Sequence, residues 1–512
     1  MRVGVIVSGA AVAVVLGGGI AILAGGSRAD TPHFVPGACP GKPAAVATVE
    51  KARCGYLIVP EDRAKPDGKT IRLAVAVIPA VAAKPAPDPI LWLTGGPGYD
   101  AFAQASYVVK WDLNRDRDVI LMSQRGTASA EPSLTCDDID RFNASSVGLL
   151  YDARSTGELH AQAVAACYRS LAARGIDLSA YNTAESVADL EDLRTALHVA
   201  KWNVWGMSYG TYVALTYMRR YPAGIRAVGI DGIVPPDVAG PAFAWPSYKE
   251  GLDGIFSACA AQPACRRRYP DLPATFARLV RQLEAHPLSV VVASPADGKP
   301  INVSLDGGAL INVMVPATHA AATLPSLLAG LAHGHPQQVA EQWAARQIGD
   351  PKDYGSFSYG LTYGVHCAEW APYVSQADVI AAGRRAFPSF PESVLAQAPQ
   401  LAYFWQDCAV WNVPKAPASV RDATTSSIPT LVLSGTFDAQ TGAQWGTHAA
   451  RTLSHAVVVT IPAVAHITVA ASPCARSVAT SFFDDPAHPA LACVGKLGPP
   501  AFQIAPDSAK QR

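Results

Sequence analysis

The stretch that decides the fold is Trp202-Asn203-Val204-Trp205-Gly206-Met207-Ser208-Tyr209-Gly210-Thr211-Tyr212-Val213-Ala214. Its first part, residues 203–205, predicts a short buried strand, and residues 209–221 predict a helix. A serine between the two, with glycines two positions before and after it, is typical of a nucleophile held on a sharp turn. The glycines let the helix pass close to the strand. Ser208 is therefore the candidate nucleophile.

Short apolar runs alternate with helical patterns on both sides of this turn. The other predicted strands are residues 55–59, 70–78, 89–94, 118–122, 225–233, 430–433 and 456–461. Such alternation is typical of a mostly parallel sheet with helices on both faces, so the predicted fold class is α/β.

This strand rhythm is interrupted after Asp237. Residues 240–425 are rich in Ala, Pro and Leu and show helical patterns with few strand runs. We therefore predict a sheet domain formed by residues 30–239 and 426–512. A mainly helical insertion, residues 240–425, divides it and is called the cap below.

The N-terminus begins Met1-Arg2 and continues with an uncharged run through residue 27. This pattern predicts a secretory signal peptide, residues 1–29, with cleavage after Ala29. The alternative is an uncleaved membrane anchor, because the run approaches the roughly 20 residues that span a bilayer. In either case the body of the protein is expected outside the cytoplasm, secreted or periplasmic.

The charges of the 512-residue chain balance, with 41 Lys and Arg against 41 Asp and Glu. A protein that binds nucleic acid or anionic membranes through its overall charge would carry an excess of basic residues. We therefore predict neither kind of partner. The expected partner is a small substrate. The only membrane contact that the sequence allows is the N-terminal segment, if it remains as an anchor.

The ten cysteines are an even set in a chain expected to reach an oxidising compartment, which favours disulfides over free thiols. The sequence alone does not fix their connectivity, and neighbour pairing is the default prediction. The neighbour pairs are Cys39 with Cys54, Cys136 with Cys167, Cys259 with Cys265, Cys367 with Cys408, and Cys474 with Cys493. Neither a Cys-x-x-Cys nor a His-Glu-x-x-His motif occurs, so no metal site is predicted.

A nucleophilic serine needs a general base, and the base needs an orienting carboxylate. Asp438 and His466 each follow a predicted strand late in the chain, in the order that such hydrolases use. His448 and His455 are rivals for the base, but they fall within or at the end of a predicted helix. The candidate triad is Ser208, Asp438 and His466.

Acyl transfer also needs two backbone N–H groups that stabilise the developing oxyanion. One is predicted at Tyr209, directly after the nucleophile. The other is predicted at Gly96, in the loop Gly95-Gly96-Pro97-Gly98 that follows a strand. Neither a metal nor an organic cofactor is required for this chemistry.

Together, five motifs resemble the secreted tripeptidyl aminopeptidase and proline iminopeptidase family of α/β-hydrolases. They are Gly95-Gly96-Pro97-Gly98, Gln124-Arg125-Gly126-Thr127, Gly206-Met207-Ser208-Tyr209-Gly210, Ser434-Gly435-Thr436-Phe437-Asp438 and His466. The resemblance implies an α/β-hydrolase fold with a helical cap, and a serine exopeptidase that removes short peptides or single residues from free N-termini. Because related members are esterases, the alternative is a carboxylesterase that uses the same triad on small acyl esters. A non-catalytic exported binding protein on the same scaffold is a further alternative.

An aminopeptidase must bind a protonated amine, which calls for a carboxylate in a partly desolvated cleft. An acid shortly after Cys367 resembles the amine-binding group of the family, which makes Glu369 a candidate. Asp407 is the second candidate, and pairing of Cys367 with Cys408 would hold the two acids near each other. Activity is expected to fall as His466 becomes protonated, near or below about pH 6.5.

Overall fold

The computed structural model describes residues 32–39 and 51–504. The predicted signal peptide, residues 1–29, lies outside the described residues. The strands within them are β1 (His33–Gly37), β2 (Arg53–Pro60), β3 (Thr70–Ile78), β4 (Ile90–Leu93), β5 (Val119–Met122), β6 (Ala130–Glu131), β7 (Trp202–Met207), β8 (Ile225–Asp231), β9 (Leu288–Ala293), β10 (Pro300–Leu305), β11 (Thr430–Gly435) and β12 (Ala456–Ile461).

Ten of these strands form one mixed sheet in the order β1-β2-β3-β5-β4-β7-β8-β11-β12, with β6 paired to β3. The strands from β5 to β12 along this order run parallel, and those on the β1 side pair antiparallel. Strand β7 lies near the middle of the sheet, and all six of its residues are buried. A strand covered on both faces needs a nearly continuous apolar run, which residues 202–207 carry except for Asn203, whose side-chain amide donates to Asp88.

Helices flank the sheet and make up most of the insertion. They are α1 (Ala105–Lys110), α2 (Asp137–Ser145), α3 (Arg154–Ala173), α4 (Thr183–Ala196), α5 (Tyr209–Arg220), α6 (Gly240–Ala261), α7 (Pro263–Arg268), α8 (Leu272–Ala285), α9 (Gly307–Ala317), α10 (Leu324–Ala332), α11 (Gln337–Ile348), α12 (Tyr359–Val365), α13 (Gln376–Ala386), α14 (Glu392–Leu395), α15 (Phe404–Val410), α16 (Ala443–Ala450), α17 (Thr468–Ala471) and α18 (Pro473–Asp484). A π-helical turn, His366–Trp370, directly follows α12. The mostly parallel sheet between helices is the α/β-hydrolase arrangement that the sequence predicts.

The insertion differs from its prediction in one element. Strands β9 and β10 pair antiparallel as a two-stranded sheet of their own inside residues 240–425. Their β-branched runs alternate between exposed and buried positions, a strand pattern too short to stand out among the surrounding helices.

Separate hydrophobic clusters fill the two parts of the molecule. Two clusters pack against the main sheet, and a third is built largely from residues 244–403. Val147 and Tyr151 belong to this third cluster although they precede the insertion in sequence. The segment around α2 and α3 thus contributes to the packing of the cap. The division of the chain at residues 239 and 425 stays a prediction.

All ten cysteines are paired, and the pairs are those that neighbour pairing predicts. Five disulfides in one chain are typical of a protein outside the cytoplasm. The bond between Cys367 and Cys408 ties the π-helical turn to α15. Among the described residues, every helix is too short or too polar to cross a bilayer.

Candidate active site

The turn between β7 and α5 carries Ser208 in an unusual backbone conformation. Its φ of 54° lies in the left-handed region, which side-chain-bearing residues adopt rarely and which is often retained at functional sites. A Cβ on Gly206 would lie 2.5 Å from the carbonyl oxygen of Gly210, and one on Gly210 would lie 2.4 Å from that of Leu93. Neither position can hold a side chain unless the backbone moves, so the two glycines are what the turn requires.

The ends of β11 and β12 bring Asp438 and His466 together. Oδ2 of Asp438 lies 2.9 Å from Nδ1 of His466, and both residues are buried. Because Nδ1 faces the carboxylate, Nε2 is the nitrogen left to act as a base. Gly232, after β8, lies against the ring, since a Cβ there would be 2.9 Å from Cε1 of His466.

Thr441 contacts both members of the pair Asp438 and His466. Its hydroxyl donates to Oδ2 of Asp438 at 2.8 Å and lies 3.1 Å from Nδ1 of His466. The backbone N–H groups of Gln440 and Thr441 donate to the other oxygen, Oδ1, at 2.8 and 2.9 Å. Both oxygens of the buried carboxylate are therefore satisfied, which favours its charged form.

Burial and ion pairing act in opposite directions on this pair. Burial alone would raise the pKa of Asp438, but the charge and hydrogen bond of His466 lower it overall. Burial alone would lower the pKa of His466, but the charge of Asp438 raises it overall. Because the pKa of His466 is raised, the loss of activity at acid pH is expected above pH 6.5 rather than near or below it.

The loop of residues 95–98 lies directly beside Ser208. A Cβ on Gly95 would be 2.8 Å from Cβ of Ser208, and Gly96 has a φ of 112° that favours glycine. The cap holds this loop, because the hydroxyl of Thr362 donates to the carbonyl oxygen of Pro97 at 2.6 Å. The loop thus lies beside Ser208, as does the first turn of α5, which begins at Tyr209.

A cavity of about 610 Å³ lies between the sheet and the cap. Ser208, His466, Gly96 and Tyr209 all line it, so the structure brings four of the predicted site residues to one space. Asp438 does not line the cavity itself, but its partners His466 and Thr441 do. The volume is within the range of small-molecule and peptide sites.

Asp407 is the one acid of the predicted pair that reaches the cavity. Its Oδ1 lies 2.9 Å from Nδ1 of His160, and the hydroxyl of Tyr363 donates to its Oδ2 at 3.2 Å. Burial raises the pKa of Asp407, while His160 and Tyr363 oppose that effect. Each oxygen accepts one hydrogen bond here and keeps a lone pair for another donor.

Glu369 does not line the cavity, which corrects its prediction as an amine-binding group. It is 1% exposed, and its Oε1 accepts from the backbone N–H of Thr183 at 2.7 Å, at the start of α4. Burial, with the charge of Glu369 adding to it, raises the pKa of the Tyr212 hydroxyl, so the carboxylate on the π-helical turn lies near that hydroxyl inside the protein. Glu369 fixes α4 against the cap rather than facing a substrate.

Sequence analysis does not identify three further residues of this region, Thr441, His160 and Arg346. Thr441 could have been found from the need of a buried carboxylate for donors, since it follows Asp438 by three positions. His160 and Arg346, which both line the cavity, lie on helices whose patterns give no sign of a site.

The amino-acid sequence is similar to those of known hydrolases. Residues 395–494 match the sequence model of a family described as TAP-like protein. The chain is 27% identical over 464 residues to serine protease Hip1 of Mycobacterium tuberculosis, which covers 84% of this chain and 86% of that protein.

Two other relatives match over shorter stretches. The putative hydrolase YuaR of Escherichia coli is 27% identical over 227 residues, 41% of this chain and 43% of that protein. The tripeptidyl aminopeptidase of Streptomyces coelicolor is 30% identical over 195 residues, 36% of this chain and 35% of that protein. The chain thus aligns with less than half of each of these two relatives. With the mostly parallel sheet and the turn at Ser208, the matches support a hydrolase with an α/β-hydrolase fold, and residues 395–494 of the chain match a TAP-like domain.

Proposed function

We propose that the protein is an exported aminopeptidase that releases short peptides or single residues from free N-termini through an acyl-enzyme on Ser208. The proposal includes removal of residues 1–29 as a signal peptide, with membrane anchoring as the alternative. It also includes residues 240–425 as a cap that covers the active site.

In the proposed reaction, Oγ of Ser208 attacks the carbonyl carbon of the scissile amide while Nε2 of His466 takes its proton. Asp438 keeps the imidazole oriented and stabilises its charged form. The N–H groups of Tyr209 and Gly96 hold the oxyanion, and each such donor is worth roughly 3–4 kcal/mol in comparable sites. His466 then gives the proton to the leaving amine, and water releases the acyl group.

The observation that carries the aminopeptidase assignment is Asp407 in the same cavity as Ser208. A buried carboxylate with free lone pairs suits an ammonium group, because the ion pair compensates for the lost hydration of both charges. A substrate held there by its N-terminus would place a nearby peptide bond at Ser208. An esterase for apolar acyl chains has no use for a charge at this position.

The test compares peptidyl-arylamides that have free or acetylated N-termini with nitrophenyl esters of simple acyl groups. We expect hydrolysis of the free-amine arylamides and at least tenfold lower kcat/KM after acetylation, as expected for loss of one hydrogen-bonded charge pair. Equal rates with and without acetylation, or activity on the esters alone, would favour the carboxylesterase.

The Ser208→Ala variant is the matched control for the chemistry. It is expected to lose activity on every substrate and to resist labelling by a serine-directed phosphonate. Hydrolysis that persists in this variant would contradict the proposed nucleophile.

A further inference from the structure

The cavity contains a second charged group of opposite sign. Arg346 lies on α11 and lines the cavity, and its side chain is exposed there. Across residues 32–39 and 51–504, no carboxylate lies within ion-pair distance of its guanidinium, and no hydrogen bond engages it. The buried arginines Arg125 and Arg117, by contrast, have acidic partners.

Arg346 is exposed within the cavity, although the cavity walls surround it. Burial lowers the pKa of its guanidinium, and the groups that counteract this effect are the hydroxyls of Tyr151 and Tyr99 rather than any acid. An arginine still carries its charge at neutral pH under such conditions. Since no carboxylate of residues 32–39 and 51–504 pairs with this charge, the cavity presents a cationic group that an anionic group of a substrate can bind.

The two tyrosines relate Arg346 to the rest of the site. Tyr99 directly follows the loop of residues 95–98, which lies against Ser208. Tyr151 packs on Tyr403 with ring centroids 5.5 Å apart, and Tyr403 packs on His160, the partner of Asp407, at 5.0 Å. The cationic and anionic groups are thus connected by one aromatic wall of the same cavity.

We propose that Arg346 is a carboxylate-binding subsite that makes the enzyme selective for peptide substrates carrying an acidic group. This inference rests on the proposed peptidase function and specifies its substrate class. A guanidinium binds a carboxylate through two parallel hydrogen bonds, and a single arginine matches a single negative charge. With Asp407 receiving the ammonium group, the cavity then complements a peptide charged at both positions.

The carboxylate can come from two sources. One is an Asp or Glu side chain within the part of the peptide that the cavity holds. The other is the C-terminal carboxylate of a peptide short enough to lie wholly inside it. The experiment separates them by giving each source its own pair of substrates.

The first pair consists of tripeptidyl-arylamides with Glu or Gln at each position in turn, which lack a C-terminal carboxylate. The second pair consists of short unblocked peptides with a free or an amidated C-terminus. We expect the intact enzyme to prefer the acidic member of at least one pair by about tenfold or more in kcat/KM, the usual effect of a hydrogen bond to a charged group. Arg346→Gln should remove this preference and leave turnover of the neutral member within about twofold.

Arg346→Lys and Arg278→Gln serve as controls. The lysine variant keeps the charge without the paired geometry and should retain part of the preference. Arg278 is an exposed arginine of α8 outside the cavity, so Arg278→Gln makes the same change in net charge and should behave as the unmodified enzyme.

Two results would overturn the subsite. One is hydrolysis of Gln and amidated substrates with no preference for their acidic counterparts. The other is a preference that survives in Arg346→Gln. If no peptide is hydrolysed at all, the proposed function fails. The subsite is then tested independently by calorimetry, which measures the affinity of the Glu and Gln peptides for the Ser208→Ala variant. Equal affinity of the two peptides there would refute it.

Discussion

The hydroxyl of Thr441 lies 2.8 Å from Oδ2 of Asp438, the same carboxylate oxygen that faces Nδ1 of His466 at 2.9 Å. One oxygen thus receives two contacts, and the hydroxyl also lies 3.1 Å from the imidazole nitrogen. The backbone N–H groups of Gln440 and Thr441 hold the other oxygen, Oδ1, so the hydroxyl is the added contact that holds Oδ2 beside His466. Thr441 therefore acts as a positioning residue for the acid and, through it, for His466.

Replacing this hydroxyl tests the positioning role. Thr441→Val keeps the side-chain shape and removes the donor, so kcat/KM should fall by roughly 10- to 100-fold, the equivalent of one hydrogen bond to a charged group. Thr441→Ser retains the donor and should stay near the activity of the unmodified enzyme. A valine variant with full activity and an unchanged melting temperature would show that the hydroxyl is dispensable.

The pH dependence follows from the raised pKa of His466. Since the base works only when neutral, kcat/KM should rise with pH and reach its midpoint above 6.5. Asp438→Asn removes the charge that raises this pKa, so burial should then move the midpoint to lower pH, and the rate should fall on the order of 10⁴-fold as in comparable triads. Rate profiles across pH 5–9 measure both effects. A midpoint that stays in place in Asp438→Asn would contradict the assigned pair.

The local patterns explain why much of this site could be predicted from the sequence. The strand and helix on either side of Ser208 have different periodicities, and the two patterns can meet only in a tight turn there. Asp438 follows the buried strand β11 and His466 follows the edge strand β12, and parallel strands end at one edge of the sheet. Positions fixed by strand ends are therefore predictable without knowledge of the tertiary structure.

Side-chain direction in the cap could not be predicted in the same way. Glu369 lies two residues after Cys367 and Asp407 lies directly before Cys408, yet one carboxylate faces Thr183 and the other the cavity. Asp407 is positioned by His160, which is 247 residues away in sequence. Such a contact depends on how α3 packs against α15, and no local pattern encodes it.

Because the carboxylates of Asp407 and Glu369 face different surroundings, we expect opposite effects on KM when each is replaced by its amide. Asp407→Asn should raise KM at least tenfold for substrates with a free N-terminus and leave acetylated substrates unaffected. Glu369→Gln, which keeps an acceptor for the N–H of Thr183, should leave KM for both substrates unchanged. Because burial raises the pKa of Asp407, KM for free-amine substrates should increase on acidification at a higher pH than for an ordinary aspartate. An effect of Glu369→Gln on amine selectivity with none from Asp407→Asn would reverse the assignment.

The close approach of α5 to β4 makes a prediction about stability. In Gly210→Ala the new Cβ would lie 2.4 Å from the carbonyl oxygen of Leu93, a backbone atom that cannot move aside cheaply. The helix must shift, which should cost roughly 2–4 kcal/mol of unfolding free energy and displace both Ser208 and the N–H of Tyr209. Gly495 has no atom within 4 Å of the corresponding position, so Gly495→Ala should change stability by no more than about 0.5 kcal/mol. Thermal and urea unfolding measure the stability of the two variants, and kcat measures their activity. A Gly210→Ala protein that is as stable and active as Gly495→Ala would contradict this prediction.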